Sequence, residues 1–162
     1  MTQSLFPEPK PTVEERIQRI DGEILQLLCG KPGGHLGLTL TDNQKRVLGL
    51  VRYRRGSARA MTIREMQMTI KSQEKQQFSS RLTDREIKQA VRALRMEFHV
   101  PVGSSKHGSD GGYFIMVSDE DHGILRGQIL DQVRAELAVL RAVDGPKATL
   151  ELLGQLQLEA QS

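Results

Sequence analysis

The sequence predicts a mainly α protein with a small antiparallel β-hairpin and helical extensions on either side of a central domain. Three observations predict it. Helix-start signals of the form [ST]-x-x-[EQ] stand ahead of four segments: Thr12–Glu15, Thr41–Gln44, Thr62–Glu65 and Thr83–Glu86. In each, the Thr can accept a free first-turn N–H while the Glu or Gln reaches back to the cap. The apolar residues that follow recur at helical spacing. A single stretch, "VPVGSSKHGSDGGYFIMVS" at 100–118, runs extended, turns polar and glycine-rich, and ends as an apolar strand. The length of 162 residues suits one domain with extensions and can bury a sizeable core. Aromatic residues make up 4% and Trp is absent, so that core must be aliphatic.

Taken in order, "MTQSLFPEPKPT" has neither the basic nor the apolar region of a signal peptide. Its clustered prolines read as a flexible arm over 1–11. The first helix is expected over about 13–29, with Val13, Ile17, Ile20, Ile24 and Leu27 stepping by four and three as a heptad-like seam. Cys29, the single cysteine, cannot form an internal disulfide; it is expected as a small buried hydrophobe, in keeping with a reducing cytoplasm. "GKPGGHLG", 30–37, lacks the Lys-[ST] ending of a phosphate loop and reads as a linker. The segment 12–37 is therefore a helix and its linker, ahead of a domain over 42–117.

Within that domain, a helix over about 42–55 turns Val47, Leu48, Leu50 and Val51 to the core and ends in the basic run "RYRRGSAR". A second, about 63–76, buries Ile63, Met66 and Ile70. A third, about 84–98, is two-faced. At about 100° per residue, Ile87, Ala90, Val91, Leu94 and Phe98 share one face, and Arg85, Lys88, Gln89, Arg92 and Arg95 share another. Strands follow over Val100–Ser105 and Tyr113–Val117, joined by "KHGSDGG", whose glycines supply positive φ.

The net charge of +3 conceals an asymmetry. Residues 42–118 carry 15 Lys/Arg against 7 Asp/Glu, and the remainder 8 against 13. A basic middle between acidic flanks suits a polyanionic partner; the plainer reading is a solvated basic face.

The segments "LTDNQKRVLGLVRY", "MTIREMQMTI", "LTDREIKQAVRALR" and "VPVGSSKHGSDGGYFIM" together resemble a winged helix-turn-helix domain of the kind heading bacterial and phage regulators. "VRALR", "PVGSS" and "GGYF" carry the likeness at the third helix and hairpin. The resemblance implies that the third helix enters the major groove of DNA. Arg85, Lys88, Gln89 and Arg92 would then face DNA, with Lys106 and His107 at the tip of the wing. Two departures stand out: "KSQEKQQFSSR" is long for the turn between second and third helices, and the wing tip holds one Lys and no Arg. The chemistry of the residues agrees with the resemblance. Arg donates bidentately to guanine, Gln pairs with adenine, and Arg52, Arg54, Arg55 and Arg59 can hold phosphates beside the reading helix.

Other classes find little support. His35, His99, His107 and His122 have no metal-ligand spacing, and Ser109 has no nucleophile-elbow surroundings, so neither metal, cofactor nor catalysis is expected. No apolar run approaches the roughly 20 residues of a membrane span. Two tyrosines are few for base stacking on single strands.

After the hairpin, a weaker start signal, Ser118–Asp121, opens a long helix over about 119–143. Leu130, Val133, Leu137 and Leu140 form a second seam, widened by Ile129 and Val143. Gly145-Pro146 stops it, and a short leucine-bearing helix follows. For the extension 118–162, two readings stand: packing within the chain, against the first helix, or a homodimer seam shared with Val13–Leu27. The function expected is sequence-specific binding of double-stranded DNA by a cytoplasmic transcriptional regulator. The alternative is a winged-helix protein–protein module of a phage or replication assembly.

Overall fold

The computed structural model describes residues 11–73, 82–105 and 111–159. The protein is mainly α with a small antiparallel sheet. In chain order it runs α1 (Val13–Leu28), α2 (Asp42–Val51), a 3-10 turn (Ser57–Arg59), β1 (Met61–Thr62), α3 (Ile63–Gln73), α4 (Asp84–Met96), β2 (Val102–Ser105), β3 (Gly112–Ile115) and α5 (Asp119–Glu159). Contacts divide the chain into two compact units, 1–122 and 123–162.

All five start signals are used. The backbone N–H groups of Glu15, Gln44, Glu65 and Glu86 donate to Thr12, Thr41, Thr62 and Thr83, and each acidic or amide side chain accepts from the cap backbone in return. Ser118 and Asp121 make the same exchange at the start of α5. These caps satisfy N–H groups that a helix leaves without partners.

The core of the first unit gathers Val47, Leu48 and Val51 of α2, Met66 and Ile70 of α3, Ile87, Val91 and Leu94 of α4, and Val102 and Ile115 of the sheet. Ile20, Ile24 and Leu27 of α1 belong to the same core. The part of the N-terminal seam that carries Ile20, Ile24 and Leu27 is thus spent inside the chain, while Val13 at its start is exposed. Two ion pairs add to this docking: Arg55 with Asp21 at 2.5 Å and Arg16 with Asp119 at 2.7 Å.

The sheet has three strands in the order β1-β3-β2, one more than expected. Met61 pairs with Tyr113 and Thr62 with Gly112, while Val102–Ser105 pairs antiparallel with Gly112–Ile115. The helix α2 stops at Val51 rather than near 55, because the following backbone is taken by the sheet. Ile115 N–H donates to Arg54 O, and Gly56 N–H to Ile115 O. The expected linker is a packed loop. Gly33 and Leu38 exchange backbone hydrogen bonds, and Gly34, at φ +67°, lies where a Cβ would overlap Glu97 O. Cys29 is exposed rather than buried, since it caps α1 one residue past the last buried turn.

In the second unit, α5 is broken at Gly145, whose φ of 84° and ψ of 169° are not helical. The stop expected at Gly145-Pro146 is therefore present, with a helical segment beyond it. Thr149 is buried and donates its hydroxyl to Gly145 O. Leu137, Ala138 and Arg141 face Thr149, Leu150 and Leu153 across a groove, so the two segments lie side by side. Ile129, Leu130, Val133, Val139 and Val143 are exposed.

Candidate nucleic-acid interface

Helix α4 is amphipathic and oriented by its own residues. Ile87, Ala90, Val91 and Leu94 are buried, which turns the opposite face outward. Arg85, Lys88, Gln89 and Arg92 lie on that face and are exposed. None of the four side chains has a hydrogen-bond or ion-pair partner among the described residues.

The neighbouring acids form no ion pair with this row; their oxygens are taken by other partners. Glu86 is held by the N–H and hydroxyl of Thr83 at 2.8 Å each, and these bonds, the backbone one foremost, keep its pKa below the usual carboxylate value. Asp84 accepts from Gln67 Nε2 at 2.9 Å, and the same amide donates to Leu82 O at 3.0 Å. Gln67 thereby clips α3 to the entry of α4 and sets the angle at which the outer face is presented. In the sequence this role leaves no signal, because a lone Gln on an amphipathic helix matches no motif.

Arg95 stands apart from the row. It is half-buried, and its Nε donates to Val102 O at 2.6 Å, tying α4 to β2. Burial lowers its pKa, with Tyr113 nearby acting in the opposite sense. Burial likewise raises Tyr113. On the helix Arg95 lies about 40° from Val91, at the edge of the apolar stripe, and its stem follows the core. Met96, exposed one turn beyond Arg92, continues the outer face instead.

The basic run after α2 is also divided. Arg54 and Arg59 are exposed. Arg55 is committed to Asp21, and Arg52 lies over the Tyr53 ring at 4.3 Å. Lys106 and His107 lie outside the described residues. Beside this run, Asp121 is a structural node: its carboxylate accepts from Val117, Ser118 and Ser57 N–H groups. Burial alone would raise its pKa, but these hydrogen bonds outweigh burial and lower it.

Comparison of the chain with protein-family models, with curated proteins and with solved structures finds no match. Among the described residues, no helix is long and apolar enough to cross a membrane.

Proposed function

We propose that residues 42–117 form a winged helix-turn-helix domain that binds double-stranded DNA, with α4 as the reading helix, and that the protein is a transcriptional regulator of bacterial or phage type. One observation carries the reading: the exposed row of three cations and an amide on the outer face of α4, none of them in an ion pair. At 1.5 Å per residue the row from Arg85 to Arg92 extends about 10 Å, close to three base-pair steps of about 3.4 Å. Arg and Gln are the side chains that address guanine and adenine edges bidentately. Arg54 and Arg59, both exposed, would hold phosphate, while Arg95 and Arg55 bond within the chain.

The apolar residues left exposed in the second unit favour a homodimer through that unit. A two-fold dimer offers two reading helices and selects a two-fold symmetric site. The same residues would suit a protein–protein adaptor, the second reading. Selection of bound sequences from random duplex DNA by the purified protein decides between them. DNA reading yields a consensus, with affinity that falls steeply as salt rises. An unenriched pool and a flat salt dependence would overturn it.

A further inference from the structure

The four histidines share no ligand spacing in sequence, yet the fold brings two of them together. His35, in the loop between α1 and α2, places Nδ1 3.2 Å from Nε2 of His99, at the α4–β2 connection. The ring centroids are 5.3 Å apart, farther than the nitrogens, so the two nitrogens face one gap. Both residues are exposed.

The backbone around the pair is held firmly. The loop bearing His35 is closed by the Gly33–Leu38 hydrogen bonds and lies against Glu97 at Gly34. His99 sits at φ +55°, the sole described non-glycine residue with positive φ. Positive φ is uncommon outside glycine and is adopted more readily by His than by most residues.

From this geometry we propose that His35 and His99 are the two protein ligands of a site for a late first-row divalent metal ion, the class that imidazole serves best. Nitrogens 3.2 Å apart subtend about 106° at a point about 2.0 Å from each, the length of a zinc–imidazole bond. That angle suits tetrahedral coordination. Among the described residues no cluster of three or more His, Cys, Asp or Glu side chains could hold a metal. Water completes the shell, and the site is weaker and more exchangeable than a closed structural zinc site. Without metal the gap is a hydrogen bond, in which one ring nitrogen donates to the other. Binding requires that ring to carry its proton on its other nitrogen, so that both facing lone pairs meet the ion. The ligands are 64 residues apart in sequence, so an ion that joins them binds the folded chain and raises its stability by mass action.

The test uses the full-length protein and zinc chloride, followed by calorimetric titration and by Tm. His99→Asn removes the imidazole but retains a residue that tolerates positive φ; His35→Ala removes the other ligand; His107→Ala serves as the control, because His122 lines the same cavity as His99. The expected result is one ion per chain, a Tm that rises with zinc, and at least a tenfold loss of affinity in His35→Ala and in His99→Asn, with the control unchanged. Absence of saturable binding overturns the site. So does equal affinity in His99→Asn, or a loss confined to the control. These readouts do not involve DNA, so the outcome is independent of the function proposed above.

Discussion

At the scale of single residues, the arginines of α4 divide by environment. Arg85 and Arg92 lean on nothing described, whereas Arg95 clips α4 to β2. Replacing Arg85 and Arg92 together by Ala is expected to reduce duplex affinity at least tenfold with Tm nearly unchanged; a double variant that still binds like the parent would end the docking model. Arg95→Ala is expected to do the opposite. It loses a charged hydrogen bond and buried stem contacts, at a cost of about 2 kcal/mol in denaturant unfolding, with the salt slope of DNA binding preserved. Arg95 differs from the other two by direction as well as by burial, since it lies about 40° from Val91 on the helix. Asp121 supplies the pH dependence. Its pKa is depressed in the folded chain, so its contribution is complete above the ordinary value of 3.8 and is lost as pH falls through the lower folded value. Asp121→Asn should flatten this acid limb, measured as unfolding free energy between neutral pH and pH 2–3; an unchanged limb would assign it to other carboxylates.

At the scale of elements, the caps were the most legible feature, because a capping box is a local exchange within four residues and needs no tertiary partner. Thr83→Ala should therefore cost about 1 kcal/mol, as should Thr41→Ala. Since the two caps serve different helices, the costs are expected to add within about 0.5 kcal/mol in the double variant. Strong coupling between them in denaturant melts would show that the caps act through a shared contact. What the sequence concealed was pairing at a distance. The strand β1 is two residues long, and its Thr62 also caps α3, so it carries no alternating pattern of its own. The loop 30–37 read as a linker because its glycines announce flexibility, while the close approach of Gly34 to Glu97 is visible only in three dimensions. His35 and His99 were legible as histidines and not as a pair for the same reason. The outer row of α4 was legible except at its boundary residue, Arg95.

At the scale of the molecule, the two heptad-like seams have different fates, and the difference bears on assembly. The seam of α1 is buried in the first unit through Ile20, Ile24 and Leu27. In the second unit no apolar side chain among the described residues is buried, while Val133 is 46% exposed and Val143 76%. An exposed apolar stripe of this kind suits association with a second copy. Their charges are mixed, with four Lys/Arg and five Asp/Glu, so a second copy meets no strong field of one sign. A homodimer is therefore expected, with the stripe Ile129, Val133 and Val143 at its centre and Leu137, shared with the second helical segment, beside it. Changing Val133 and Val143 to Glu should convert the dimer to a monomer, because each charge would have to be buried without a partner. Both positions are exposed in the single chain, so the first unit should keep its Tm. Sedimentation equilibrium measures this directly. A parent protein that is monomeric at tens of micromolar removes the dimer, and a double variant that remains dimeric places the contact elsewhere. A monomeric variant that also binds a half-site as well as a full symmetric site would tie assembly to the reading of DNA, since two-fold avidity should be the only property lost.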